Sequence, residues 1–341
     1  METLINKKEE TKIKKRKIKR GKKLGLALGG GSARGLSHIG VLKVLHKHKI
    51  YPDYSASPSM GAVIGALYSA DHTPKEIEEI AKSTKWKKII DFKIPKAGFI
   101  EGDLVENKIK RLVNNKKFSD LSIPLNIVAY NMTHHEKAIF SEGSVSRAIR
   151  ASISIPGIFA PVKIGKCNYI DGGVIDPTPF EVVKEMGADV VIAVDLFSSG
   201  RKKVEGPVAK EENFLAGVKE MFIFQELLNI KNYLIPTRWP KFIQKVLHWI
   251  FDKLLYPAKV LKMVAGKEMF PIVKVMNETL DVLISNLAKE KMRQAKVDVK
   301  VIPSFKGLGW ADLNQVEDFV KVGEEAMEMK LSRLKRSLGM K

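Results

Sequence analysis

A serine-rich stretch at residues 54–70, YSASPSMGAVIGALYSA, contains the first residue type suited to chemistry, Ser59. A nucleophilic serine on a sharp strand-to-helix turn needs small residues two positions to either side, so that neighbouring backbones can approach. Gly61 supplies one of them, and Ser57 stands where glycine is expected on the other side. Pro58 favours an extended backbone at Ser57, as the last residue of a strand requires. The stretch predicts a nucleophile elbow at Ser59 with some crowding from Ser57, and a plain loop serine is the alternative.

A glycine-rich run at residues 28–40, LGGGSARGLSHIG, is the second candidate. A glycine turn between a strand and a helix N-terminus presents backbone N–H groups to an anion. That anion is either a phosphate or the oxyanion of an acyl-transfer intermediate. The candidate residues in this run are Gly29, Gly30, Gly31 and Arg34.

The glycine spacing also bears on nucleotide binding. Gly29, Gly31 and Gly35 are spaced one residue wider than the dinucleotide fingerprint, and the Gly-Lys-Ser/Thr of a triphosphate loop is missing. Asp53 does lie at roughly the distance expected for a ribose-binding acid. A nucleotide interpretation therefore stays open, although it is weakly supported.

A base for a serine nucleophile is offered by the run YIDGGVIDPTP at residues 169–179. Asp171 follows an apolar strand pattern and precedes Gly172 and Gly173, so we expect its carboxylate at the carboxyl end of a strand, where sites of open α/β sheets assemble. A lone Asp-Gly-Gly is usually only a turn. The single cysteine, Cys167, excludes an internal disulfide and a cysteine-based zinc cluster, and no metal or cofactor is predicted.

These candidates sit in a regular alternation of strand and helix patterns. Such alternation predicts right-handed crossovers and a mainly parallel sheet that is covered on both faces. The predicted strands are 24–28, 52–57, 124–131, 167–170, 190–194 and 297–303. The predicted helices follow the glycine run, follow the serine stretch with an apolar face at Val63, Ile64, Leu67 and Tyr68, and cover 144–152 (capped by Ser144), 179–186 and 316–334.

Charge and length divide the 341 residues into three parts. Residues 1–23 read as a basic disordered arm, 24–196 with 270–341 as the α/β body, and 197–269 as a helical insertion. The net charge of +21 predicts an anionic partner, either a membrane surface or nucleic acid. No apolar run approaches the ~18 residues of a membrane span, and the single cysteine suits a reducing compartment.

The insertion holds an amphipathic stretch, RWPKFIQKVLHWIFDKLLYPAKVLK, at residues 238–262. Its wide apolar face with Trp and Phe, and its narrow stripe with Lys, suit an interfacial helix. A helix packed on the protein's own core gives the same pattern. The excess of basic residues between 238 and 267 favours an anionic bilayer.

Four motifs in order, LGLALGGGSARGLSHIGVLKVL, SPSMGAVIGALYSA, ASISIPGIFAPV and YIDGGVIDPTP, resemble the patatin-like phospholipase family in its single-domain bacterial form. The resemblance covers about 22–196 well and 270–335 more loosely. It implies a three-layer α/β/α serine hydrolase that acts on acyl esters of lipids. By motif, Ser59 is then the nucleophile, Asp171 the base and the loop 29–34 the oxyanion hole, while Ser57 and Pro58 depart from the family pattern.

The histidines favour a Ser–Asp dyad over a triad. In the chain order Ser, Asp, His, the only histidine after Asp171 is His248 in the insertion, and His134 and His135 lie in a turn-like segment. We therefore expect a cytoplasmic phospholipase A or lysophospholipase-like esterase, peripheral at the inner face of a membrane.

The alternative function is a catalytically weakened lipid- or nucleotide-binding regulator with the same fold. Nucleic acid is not an expected partner, because no aromatic stacking platform or recognition helix stands out. The sequence leaves the lipid, the acyl position and the oligomeric state open.

Overall fold

A computed structural model describes residues 21–86, 100–198 and 269–340. Within these ranges, eight strands form one sheet, and five of them, β1, β2, β3, β7 and β8, pair in parallel. The strands are β1 (Leu24–Leu28), β2 (Tyr54–Pro58), β3 (Leu125–Asn131), β4 (Glu136–Phe140), β5 (Val162–Ile164), β6 (Cys167–Asp171), β7 (Val190–Val194) and β8 (Val299–Val301). The prediction of a mainly parallel α/β sheet is confirmed.

The antiparallel strands were not predicted as such. β4 returns along β3 as a hairpin, and β6 pairs antiparallel with both β3 and β5. The strand expected at 167–170 therefore exists but runs against the parallel strands, because it follows the short β5 rather than a crossover helix.

Eight helices cover the sheet within the same ranges. They are α1 (Ser37–Lys47), α2 (Ser59–Ser69), α3 (Pro74–Ser83), α4 (Asp103–Leu112), α5 (Val145–Ser152), α6 (Phe180–Glu185), α7 (Met269–Gln294) and α8 (Val316–Leu338). The predicted cap of α5 is confirmed, since the Ser144 side chain accepts from the Arg147 N–H. α3 begins with a capping box of Thr73 and Glu76, a local signal that sequence reasoning passed over.

Side-chain alternation in the strands produces the three layers. Leu24, Leu26 and Leu28 of β1 belong to the larger core, which also contains buried residues of α1, α2, α3 and α8. Gly25 and Ala27 face the other way, toward the smaller core of α6 and the C-terminal part of α7. A Cβ on Gly25 would stand 2.0 Å from Val183 Cγ1, so the small residues of the LGLAL run let α6 pack closely on the sheet.

The basic arm joins the body at the amino ends of the parallel strands, and the insertion joins it at their carboxyl ends. The Lys23 N–H donates to Asp189 Oδ2 at 2.7 Å, next to the start of β7. The insertion follows the carboxyl end of β7. The chain passes from β2 into Ser59 on this same side of the body, because β2 and β7 both run parallel to β1. Residues 1–20 and 199–268 lie outside the described residues, so the predicted arm and amphipathic helix stay predictions. Among the described helices, none combines the length and apolar character of a membrane span.

Candidate active site

Ser59 occupies a strained turn between a strand and a helix. It follows β2 directly and is the first residue of α2. Its φ is 53°, in the left-handed region that residues with a side chain seldom adopt. Its backbone N–H donates to Ser152 Oγ at 2.8 Å. Strain held by surrounding contacts in this way is typical of a turn that carries a nucleophile.

The two neighbours of the turn differ in how much space they have. A Cβ on Gly61 would lie 2.4 Å from the Leu28 carbonyl oxygen, so only glycine fits there without displacing β1. Ser57 is fully buried, and its Oγ has no hydrogen-bond partner within the described part of the chain. That hydroxyl lies 3.2 Å from where a Cβ on Gly65 would stand. Because Gly65 has no side chain, the expected crowding at Ser57 is relieved.

The ends of β2 and β6 meet head to head along one side of β3. β4 pairs with β3 from Ile127 to Asn131 and so occupies one side, which leaves β2 and β6 to share the other. Pro58 pairs with Val128, and Asp171 pairs with the next residue, Ala129. Asp171 therefore reaches Ser59 because its strand runs toward β2. Our expectation of a strand parallel to β2 was wrong in direction.

The Asp171 carboxyl is buried beside Ser59. Its Oδ1 accepts the Gly173 N–H at 2.7 Å. Burial raises the pKa of Asp171 to about 6, although the neighbouring Ser59 side chain and the Gly173 N–H lower it. A Cβ on Gly172 would stand 2.2 Å from the Val128 carbonyl oxygen, so a glycine is required where the chain turns away from β3.

The glycine loop lies against Ser59, but most of its amides are already used. A Cβ on Gly30 would be 3.4 Å from Ser59 Cβ. The N–H groups of Gly29 and Gly30 donate to the carbonyl oxygens of Val194 and Pro177 at 2.9 and 3.0 Å.

The N–H of Arg34 donates within the loop, to the carbonyl oxygen of Gly31. Of the four predicted loop residues, Gly31 alone keeps an amide without a protein acceptor among the described residues. The amide of Ser32 likewise has no protein acceptor among the described residues.

His38 anchors the glycine loop through the carbonyl group of Gly29. Its Nε2 lies 2.7 Å from the Gly29 carbonyl oxygen, which can only accept, so the ring carries its proton on Nε2. Burial lowers the pKa of His38 to about 4, and the hydrogen bond to Gly29 opposes that effect. The ring is thus a neutral donor at physiological pH and fixes the peptide that leads into Gly30.

Arg34 links the loop to α7 rather than extending into open solvent. Its Nη1 lies 3.8 Å from Asp281 Oδ1, and its guanidinium lies over the Phe305 ring at 5.9 Å. α7 continues to the base-bearing turn, where Lys291 Nζ contacts Asp176 Oδ1 at 2.8 Å. One helix therefore spans from the glycine loop to the segment that follows Asp171.

The other candidates are placed away from the Ser59–Asp171 pair. The Asp53 carboxylate accepts the Leu24 N–H at 2.8 Å, so it anchors the start of β1 and the ribose interpretation loses its support. The His135 ring lies against the Tyr130 hydroxyl, and His134 is exposed. His248 lies outside the described residues. Within those residues, no group of three or more His, Cys, Asp or Glu side chains is arranged to hold a metal ion.

Sequence reasoning missed the residues that hold the pair from behind. Ser152 and Ser154, at the end of α5, contact the backbones of Ser59 and Asp171. Their Ser-x-Ser pattern at a helix end carries no distinctive signal. His38 had a better one, a histidine on the apolar face of a helix beside the glycine run.

Comparisons with known proteins agree with the sequence resemblance. Residues 26–184 match the family model described as patatin-like phospholipase. The chain is similar to Patatin-like phospholipase domain-containing protein 6 of Homo sapiens, with 35% identity over 186 residues, 52% of this chain and 14% of that protein. Lysophospholipase NTE1 of Debaryomyces hansenii is 34% identical over 181 residues, 51% of this chain and 12% of that protein. The alignments therefore cover only about an eighth of the length of these relatives.

A solved structure, the crystal structure of VipD from Legionella pneumophila, aligns with 92% of this chain and 67% of that chain. The TM-score is 0.45 and the sequence identity is 14%.

Proposed function

Since residues 26–184 belong to the patatin-like phospholipase family, we propose that this protein is a serine hydrolase of lipid acyl esters. Ser59 is the nucleophile and Asp171 the base. The proposal rests above all on the meeting of the strained turn at Ser59 with the buried Asp171 carboxyl, where the ends of β2 and β6 pair with adjacent residues of β3 beside the glycine loop. The names of the aligned relatives, which include a lysophospholipase, favour phospholipids and lysophospholipids as the substrate class.

The reaction proceeds by acyl transfer to Ser59. Asp171 accepts the hydroxyl proton as Ser59 Oγ bonds to the ester carbonyl carbon, and the carbonyl oxygen takes the negative charge. The donors to that oxyanion are the amides of Gly31 and Ser32, which have no protein acceptor among the described residues. The intermediate then expels the alcohol part of the lipid, which takes the proton from Asp171.

Deacylation repeats these steps with water. Asp171 accepts a proton from the water molecule that attacks the acyl-Ser59 ester, and collapse of the second intermediate releases the fatty acid and restores the Ser59 hydroxyl. A carboxylate is a weak base for an alcohol. The burial that raises the pKa of Asp171 to about 6 makes it a stronger one.

The insertion is the segment that we propose brings the site to a membrane. It leaves the body at the carboxyl end of β7, on the side where the chain passes from β2 into Ser59. The basic arm joins the body at the amino end of β1. Several basic residues near an anionic surface contribute roughly 1 kcal/mol each, enough for reversible, salt-sensitive attachment.

Two measurements test the function. A fluorophosphonate probe should label Ser59 in the wild-type protein and not in Ser59→Ala, and free fatty acid should be released from a panel of phospholipids, lysophospholipids and neutral esters. Folded protein that neither reacts with the probe nor releases fatty acid would support the lipid- or nucleotide-binding regulator instead.

Vesicle flotation tests the membrane part. Binding should be stronger to anionic than to neutral vesicles and should weaken with salt. Replacing the lysines between 238 and 267 with glutamine should reduce binding more than the same number of replacements in the arm. Equal binding to neutral vesicles would contradict the electrostatic attachment.

A further inference from the structure

The end of α5 contacts both members of the Ser59–Asp171 pair through residues only two positions apart. Ser152 Oγ accepts the backbone N–H of Ser59 at 2.8 Å. The carbonyl oxygen of Ser154 accepts the backbone N–H of Asp171 at 3.0 Å. One short turn, from Ser152 to Ser154, therefore fixes the backbones of two residues that are more than a hundred positions apart in sequence.

Ser152 occupies the seam where β2 and β6 meet. It is fully buried, and its hydroxyl donates to the Val128 carbonyl oxygen at 2.6 Å while accepting from Ser59. Val128 is the residue that pairs with Pro58, so the bond ties the turn at Ser59 to β3. Without this hydroxyl, a buried N–H at a strained φ and a strand carbonyl would both lose a hydrogen-bond partner, which is costly for a buried polar group.

The turn is held from its other side by a buried arginine. Arg150 is 1% exposed, and its Nη1 donates to Ser154 Oγ at 2.7 Å. The same guanidinium donates to the Ala160 carbonyl oxygen at 3.0 Å and to the Glu101 carbonyl oxygen. The Ser154 carbonyl that receives the Asp171 N–H is thus part of a segment that the buried Arg150 guanidinium ties to Glu101 and Ala160.

From these contacts we propose that Ser152 is a positioning residue that sets the distance between the Ser59 hydroxyl and the Asp171 carboxyl. The inference rests on the proposed function for its kinetic consequence. Ser152 itself touches no substrate, because its hydroxyl is already engaged by two backbone groups. Loss of the Ser152 hydroxyl releases the backbone of Ser59, moves the Ser59 hydroxyl away from the Asp171 carboxyl and leaves the surface that meets the ester unchanged.

Two variants and a matched control test this role in the full chain. Ser152→Ala removes the hydroxyl, and Ser152→Cys keeps the site filled with a slightly larger group that is much weaker in hydrogen bonding. Both should lower kcat by roughly 10- to 100-fold with little change in KM, since a displacement of about 1 Å at reacting groups has an effect of this size. The control is Ser146→Ala, which removes another buried serine hydroxyl on α5, one that contacts Ser144 and neither member of the pair. It should change kcat less than twofold.

The titration of Asp171 supplies a readout that a general loss of stability does not move. The neighbouring Ser59 side chain lowers the pKa of Asp171, so moving it away should shift the carboxyl titration to higher pH in both Ser152 variants and not in Ser146→Ala. Carbon-13 NMR of the Asp171 carboxyl measures this without substrate. A wild-type protein without hydrolase activity would overturn the proposed function alone, because the titration still tests the positioning. A Ser152→Cys protein with wild-type kcat and an unmoved Asp171 titration would overturn the inference. The same two results in a folded Ser152→Ala protein would also overturn it.

Discussion

The hydroxyl of Ser57 lies against Gly65, 3.2 Å from where a Cβ on that glycine would stand. The Ser57 side chain fits because the helix residue that faces it has none. The departure from the family pattern at Ser57 is therefore accommodated by Gly65, nearly two helical turns into α2, and it does not by itself argue against catalysis.

Removing the Ser57 hydroxyl should stabilise the protein. Because the Oγ is buried with no hydrogen-bond partner among the described residues, Ser57→Ala should raise the free energy of unfolding by about 1 kcal/mol. Urea denaturation measures the change, and ester hydrolysis should stay within twofold of wild type. A loss of stability would mean that a buried water satisfies the hydroxyl.

The buried carboxyl of Asp171 predicts an acid limb in the activity profile. The base must be ionised to accept the Ser59 proton, and burial raises its pKa to about 6. The value of kcat/KM should therefore rise tenfold per pH unit below about 6 and level off above it. Rates measured between pH 4.5 and 8.5, with circular dichroism to confirm folding at each pH, provide the test. A limb centred near 4 would contradict the raised pKa of Asp171, and a profile without an acid limb would contradict the base assignment.

Replacing the base should stabilise the fold while removing activity. In the unfolded chain Asp171 titrates near 3.8, and in the folded protein near 6, so its ionisation destabilises the fold as pH rises through that window and by a constant amount above it. Asp171→Asn avoids this cost and should gain up to about 3 kcal/mol at pH 8, with no gain below pH 3.8.

The same variant should lower kcat by roughly 10²- to 10⁴-fold, the usual contribution of a general base. Chemical denaturation at pH 8 and pH 3.5 gives the stability difference. An Asp171→Asn protein that is less stable than wild type at pH 8 would show that the carboxylate is better solvated than its burial indicates.

His38 predicts an acid sensitivity of the opposite sign. Its pKa is lowered to about 4 by burial, whereas the unfolded chain binds the proton near 6.5, so its contribution to stability is complete above 6.5 and is lost as pH falls toward 4. His38→Gln keeps a donor for the Gly29 carbonyl oxygen and cannot titrate. Between pH 7 and pH 4.5, wild type should lose about 2–3 kcal/mol more than His38→Gln. Equal losses would contradict the buried neutral ring.

The local part of the site followed from sequence, and its long-range part did not. Spacing alone placed the turn at Ser59, since strand, turn and helix signals are all within a few residues of it. The approach of Asp171 depends on β6 meeting β2 head to head on β3, a pairing between distant segments that no local pattern encodes. Contacts between distant segments also decide which loop amides are available. The amides of Gly29 and Gly30 donate to the carbonyl groups of Val194 and Pro177, far along the chain.

The last residue of the arm, Lys23, lies beside Asp189 at the amino ends of the parallel strands. Ser59 and Asp171 lie at the carboxyl ends of β2 and β6. A five-residue strand separates the amino ends from the carboxyl ends of the parallel strands by about 17 Å. A fluorophore or affinity tag attached just ahead of Lys22 is therefore on the far side of the body from Ser59, which makes that position suitable for immobilising the protein in binding measurements on intact vesicles.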